Sequence, residues 1–239
     1  MNTDKVKVGF FSFTEITDPD EHHSYNEWHM LDHMPEQYPI PGIVYGTRWV
    51  STPACRDARA VSGERLDPVH YLTCYLMSEP VDATLEEFYE HGRALGKVGR
   101  FHEHRRALLS GPYRVLDGNA APRVLVRAEA IPYRPHRGVY VIVQDADGDG
   151  NGATRAADPT AWLDIEGVAG VWSFGPGPDR EAGPWKPRRE QVTVAWLDGE
   201  PLATAAAMEP TVRDQAHVSF AGPFETIEPW RWTWFDATG

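Results

Sequence analysis

The feature that most limits what this chain can fold into is that its second half echoes its first. Three short segments recur in the same order. Pro41-Gly42-Ile43-Val44-Tyr45-Gly46 answers to Glu166-Gly167-Val168-Ala169-Gly170-Val171, and Tyr75-Leu76-Met77-Ser78-Glu79-Pro80 answers to Trp196-Leu197-Asp198-Gly199-Glu200-Pro201. Ser110-Gly111-Pro112-Tyr113 answers to Ala221-Gly222-Pro223-Phe224. Each echo is weak alone, but three in register indicate a tandem duplication.

The hydrophobic pattern gives each half the same order of elements. Residues 5–16, rich in Val and Phe, read as a strand buried on both faces. Asp18-Pro19-Asp20 starts a helix expected over 20–32, and Pro35 disfavours helical geometry at Met34. Strands follow at 42–52 and 69–77, separated by a polar loop over 53–68. A helix over 82–99 and a strand over 107–116 complete the unit. In the second half, strands are expected at 138–144, 167–174, 191–197 and 217–227, with helices at 158–165 and 201–215. Residues 123–130 read as a linking strand between the halves.

The fold class is therefore α+β, with two ferredoxin-like β-α-β-β-α-β repeats at 1–120 and 121–239. A four-stranded sheet with helices on one side leaves its other face bare. The expectation is that the two antiparallel sheets pack face to face as an intramolecular α+β barrel. The chain would then be a pseudo-dimeric monomer, with a homodimer also open.

Composition removes several function classes. The net charge of −12 argues against nucleic acid or an anionic membrane as partner. No run approaches the ~20 apolar residues of a membrane span. MNTDKVKVGFFSF reads as a first strand and not as a secretory leader. Two cysteines, Cys55 in the expected loop and Cys74 in a strand, suit a reduced, cytoplasmic setting. Asp145-Ala146-Asp147-Gly148-Asp149-Gly150 imitates a calcium loop, but Ala156 stands where a bidentate Glu is needed, so it reads as an acidic surface loop.

The densest chemistry lies between His22 and Arg48. Glu27-Trp28-His29-Met30-Leu31-Asp32-His33-Met34-Pro35, followed by Pro41-Gly42-Ile43, resembles the signature of dimeric α+β barrel proteins in the branch nearest the EthD-like and polyketide cyclase-like families. Trp28, Asp32, His33, Pro35, Pro41 and Gly42 occupy its positions, and Arg48-Trp49 and Gly111-Pro112-Tyr113 also fit. The resemblance implies cofactor-free monooxygenases, cyclases, isomerases or decarboxylases, with haem-binding branches beside them. No histidine follows Trp162-Leu163-Asp164-Ile165, so one site per chain is expected, in the first half.

His33 is the leading catalytic candidate, because imidazole titrates near neutrality; capping of the helix end is the evenly weighted alternative. Tyr45 and Tyr75 would hydrogen-bond a carbonyl oxygen, and Arg48 would hold a carboxylate or enolate. Trp28, His29, Trp49, Tyr71, Thr73 and His70 are the substrate-binding candidates, His70 being more commonly a satisfied strand-end residue. His29, His33 and Glu36 form a metal alternative for zinc or non-haem iron. On amphipathicity that stripe faces solvent, opposite Trp28, Leu31 and Met34. His22 and His23, and likewise His91, His102 and His104, read as solvated. Alternating aromatics from Trp230 to Phe235 would line the barrel or clamp onto it.

The expected function is a cofactor-independent enzyme of small-molecule metabolism on a hydrophobic or aromatic carbonyl compound, using a histidine acid/base for cyclisation, dehydration or isomerisation. The alternatives are a non-catalytic hydrophobic-ligand-binding protein, and a haem- or metal-dependent or cofactor-free monooxygenase.

Overall fold

Strand alternation puts one set of side chains inside a closed barrel and the other set beneath the helices. The computed structural model describes residues 5–145, 159–177, 185, 189–213, 215 and 217–236. The first half runs β1 (Val8–Ile16), a 3-10 turn (Pro19–Glu21), α1 (His22–Trp28), a π-helical turn (His29–His33), a 3-10 turn (Pro35–Gln37), and β2 (Ile43–Val50). It continues with α2 (Pro53–Asp57), β3 (Val61–Ser62), β4 (Tyr71–Met77), α3 (Val81–Lys97) and β5 (Arg105–Ala120). After a 3-10 turn (Ala128–Tyr133) come β6 (Gly138–Asp145), a 3-10 turn (Pro159–Asp164), β7 (Val168–Gly175), β8 (Glu190–Leu197), α4 (Pro201–Val212) and β9 (Val218–Thr226).

The strand order is β2-β4-β1-β5-β7-β8-β6-β9, with β3 attached to β9 and a further β2–β9 pairing that closes the ring. Both halves thus contribute the ferredoxin-like order, and the chain is an intramolecular α+β barrel. The two sheets face one another across the interior and are also joined edge to edge. The seams are the long β5–β7 ladder and a shorter one in which Trp49 opposes Thr226 and Val50 opposes Glu225. Phe11, Phe13, Trp49, Leu72, Cys74 and Leu76 meet Val139, Val141, Val194, Trp196, Phe220 and Phe224 inside. Burying side chains of this size stabilises by roughly 1.5–3 kcal/mol each.

The duplication is visible atom by atom. Gly42 and Gly167 both take a positive φ, +91 and +92, each beneath a threonine hydroxyl, that of Thr84 and Thr204. The Gly42 carbonyl accepts from Ser78 N–H at 2.8 Å, and that of Gly167 from Asp198 N–H at 3.0 Å. Ile43 opposes Met77 and Val168 opposes Leu197, so by register Ser78 corresponds to Asp198, one residue away from the pairing read off the sequence.

Other boundaries also differ from the sequence reading. The segment 53–68 contains α2, capped by Thr52 Oγ1 accepting from Cys55 N–H at 3.2 Å, and the short β3. Cys55 lies in that helix, fully buried. No strand forms over 123–130. Arg123 instead binds the Asp198 carboxylate and the Val168 carbonyl, and a 3-10 turn follows. The acidic glycine-rich loop from 146 to 156 lies outside the described residues. No described helix is long and apolar enough to cross a membrane.

Outside the barrel the two halves part company. Under the second half's helices, Ile142, Trp162, Val171, Ala195, Leu197, Ala205 and Met208 fill the layer. Under the first half's helices, a cavity of about 740 Å³ remains.

Candidate functional site

The floor of the cavity is a cross-strand row. In register, Arg48 on β2 opposes Thr73 on β4, Thr73 opposes Ser12 on β1, and Ser12 opposes Ser110 on β5. Thr73, Ser12 and Ser110 line the cavity, with Phe10 and Tyr75 in the next row. Gly46 beside Tyr75 has no side chain, and a Cβ there would stand 3.0 Å from the ring. The equivalent row of the second half is Ser173, Thr193, Ile142 and Ala221. There Thr193 Oγ1 lies 3.5 Å from Ser173 Oγ, and Ile142 and Ala221 replace the two serines.

The roof comes from α1 and its π-helical continuation. Met34 N–H donates to the His29 carbonyl at 2.9 Å, five residues back, so the helix is one residue too wide at this turn. The widening overturns the expectation that His29 and His33 face solvent. Both line the cavity, whereas Leu31, placed on the buried side by a regular helical pattern, is 48% exposed. Trp28 donates its indole N–H to the Arg100 carbonyl at 2.8 Å and stacks on His33, ring centroids 4.7 Å apart at 17°. Helix α3 supplies Phe88, Tyr89, Gly92, Arg93 and Gly96, and Phe101 and Arg105 finish the wall.

Burial sets the electrostatics. His29 is driven well below its ordinary pKa, first by burial and then by the Arg48 cation, with smaller contributions from His33 and Arg105. His33 is lowered to about 4, chiefly by burial and then by Arg105, with Asp32 opposing. Both are neutral at pH 7. Burial also pushes the Tyr75 phenol far above its usual value, so it keeps its proton. His29 Nδ1 is 3.0 Å from Tyr25 OH. Its Nε2, together with His33 Nδ1, Thr73 Oγ1 and Tyr75 OH, is buried without a hydrogen-bond partner among the described residues. Unpaired buried polar atoms are costly. Four of them around one apolar cavity are the features of a ligand site.

The structure thus brings together Trp28, His29, His33, Thr73 and Tyr75. It leaves the other candidates elsewhere. Tyr45 and Trp49 lie on the opposite parity of β2 and join the barrel interior, where Tyr45 packs on Tyr133 and Trp49 donates to His136 Nε2 at 3.0 Å. Arg48 sits one layer behind the wall. It donates to Asn26 Oδ1 at 3.0 Å and lies over the Tyr25 and Tyr71 rings, with Nε and Nη1 unpartnered. Tyr71 OH accepts from Asn26 Nδ2 at 2.8 Å. His70 accepts from Ile16 N–H at 3.0 Å and approaches Arg56 at 3.1 Å, the satisfied strand-end role.

Glu36 does not join His29 and His33. Its carboxylate binds Arg100 at 2.9 Å, and no three His, Cys, Asp or Glu side chains among the described residues are placed to hold a metal. A haem is different, since the buried neutral Nε2 of His29 is a donor that an iron could take. His22 is buried, not solvated: it bonds Tyr71 OH at 2.9 Å and stacks on Phe235 at 3.8 Å. His102 also turns inward, to Ser24 Oγ at 3.0 Å. The terminal aromatics clamp α1 from outside, through Phe235 and through Trp232 against His23. Tyr25, Ser12, Ser110, Arg93 and Arg105 were not among the sequence candidates. The one available signal was the polar Ser12 set between Phe11 and Phe13 in β1.

No known protein-family profile matches the chain, and no curated protein matches it in sequence. Among solved structures, an anthrone oxidase-like protein is similar over 95% of this chain and 94% of its own, at 11% identity and a TM-score of 0.53. A candidate monooxygenase from Fusobacterium nucleatum is similar over 94% of each chain, at 7% identity and a TM-score of 0.48. A chlorite dismutase variant from Candidatus Nitrospira defluvii covers 93% of this chain and 92% of its own, at 9% identity and a TM-score of 0.45. The first of these shares the fold.

Proposed function

We propose that the chain is a small-molecule enzyme that binds a flat aromatic carbonyl compound in the first-half cavity and moves a proton next to its carbonyl. The observation that carries this reading is the set of four unpartnered polar atoms, on His29, His33, Thr73 and Tyr75, around an aromatic cavity. His33 is the base. Being less completely buried than His29, it gives up less on protonation. It takes the proton from the carbon beside the carbonyl, and the C–H electron pair moves onto the oxygen as an enolate. Tyr75 O–H donates to that oxygen. If Tyr25 O–H donates to His29 Nδ1, then His29 carries its proton on Nε2 and supplies a second donor. Returning the proton to another carbon completes an isomerisation. Attack of the enolate on a second carbonyl, with loss of water, completes a cyclisation.

This sequence of steps needs no cofactor. The same enolate handed to dioxygen would begin a cofactor-free monooxygenation, and a haem on His29 would supply redox chemistry in its place. Solvent deuterium exchange at the α-carbon of 1-phenylbutane-1,3-dione, followed by NMR, tests the first step. His33→Ala should slow exchange by about 100-fold and Tyr75→Phe by about 10-fold or more. Exchange unaffected by His33→Ala would refute the assignment. Oxygen uptake would move the reading to monooxygenation, a Soret band would move it to haem, and tight binding without exchange would leave a binding protein.

A further inference from the structure

The wall of this cavity carries the opposite charge from the molecule. The chain has a formal charge of −12, yet among the described residues no Asp or Glu lines the cavity, whereas Arg93 and Arg105 both do. Six arginines elsewhere, Arg65, Arg100, Arg106, Arg123, Arg134 and Arg137, each hold a carboxylate, while Arg48 and Arg114 bond Asn26 and the Pro176 carbonyl. Among the described residues Arg93 and Arg105 hold none. Arg105 instead lies over the Phe101 ring, 4.8 Å from its centroid. The acids nearest the histidine turn, Asp32 and Glu36, are both bound to Arg100. Arg93 is exposed on α3 and Arg105 half-buried at the start of β5, while His29 and Thr73 are buried. The cations therefore mark the mouth, and the hydroxyl row marks the floor.

We propose that the cavity selects an acidic substrate, whose flat aromatic body enters towards the hydroxyl row while a carboxylate or other oxyanion is held at the mouth by Arg93 and Arg105. This rests on the reading of the cavity as a ligand site. Guanidinium pairs suit oxyanions because their donors form a planar fork. Freedom from internal ion pairs leaves that fork available without first breaking a bond. The acid group also acts on the chemistry. Arg105 faces His33 together with Arg48 on β2, His91 on α3 and Asp32 on its own turn; all but Asp32 oppose protonation. An oxyanion seated on Arg105 offsets its charge, so His33 becomes a stronger base once the substrate is in place.

Three probes of one shape separate the possibilities: 2-naphthoate, 2-naphthyl phosphate and the neutral 2-naphthamide. Binding is read on the intact protein by tryptophan quenching and by the NMR signals of the histidine rings. At low salt at least one anion should bind about tenfold or more tightly than the amide, and the better anion names the acid group. Arg93→Gln, at an exposed helix position, and Arg105→Gln should each reduce that advantage. Saturating anion should raise the His33 pKa in the native protein and not in Arg105→Gln. Amide binding as tight as both anions, or an advantage that survives both substitutions, overturns the proposal while the cavity reading stands. If none of the three perturbs the His29 and His33 signals, both fall.

Discussion

His29 and His33 owe their neutrality to burial, and burial of neutral imidazole has a consequence for stability. His22 and His33 are lowered to about 4 and His70 to about 3, in each case first by burial. In the unfolded chain such groups take up a proton near pH 6.5. Between about pH 6.5 and 4 the unfolded state therefore binds more protons than the folded one, and stability falls as the pH falls. The slope is on the order of 1.4 kcal/mol per pH unit for each such histidine. Urea midpoints should be lower at pH 5 than at pH 7, and replacing His70, whose role is structural, should flatten the difference. At this scale the sequence was partly legible. Thr73 and Tyr75 share a face by simple alternation, and they are found together. Arg48 and Trp49 are adjacent in a strand, so both could not face one cavity; alternation sends Trp49 inward.

At the scale of elements, the π-helical turn is what sequence periodicity could not supply. A period of 3.6 residues places Leu31 inward and the histidines outward, and one extra residue in a turn reverses that. Pro35 signalled the end of the helix but not its widening. By contrast, the turn at Gly42 was legible as Pro-Gly before a strand. Its φ of +91 and the Thr84 hydroxyl, packed over the place a Cβ would take, leave no room for a side chain. Gly42→Ala should cost about 2 kcal/mol, and Gly167→Ala, in the same setting beneath Thr204, a similar amount. Denaturant titration checks both. A Gly42→Ala protein of native stability would mean that the turn is far more adaptable than its packing suggests.

At the scale of the molecule, the duplicated order of elements was enough to infer a barrel, because a one-sided sheet must find a second one. The edge pairing was not legible, since β2 and β9 meet through only the Trp49–Thr226 and Val50–Glu225 positions and no sequence pattern marks them. Cutting the chain after residue 120 would expose the edges of β2 and β5 and the inner face carrying Phe11, Phe13 and Leu72. Unpaired strand edges recruit other strands. The fragment 1–120 should therefore associate or aggregate, and sedimentation should show no stable monomer, whereas the whole chain should sediment near 26.8 kDa.

The filled layer beneath the second half's helices has a consequence for measurement. Trp162, Met208 and their neighbours occupy the space that would be a second site, so a chain shaped like a dimer should titrate like a single receptor. Its isotherm should be hyperbolic, saturating at one equivalent per chain, with a Hill coefficient of one.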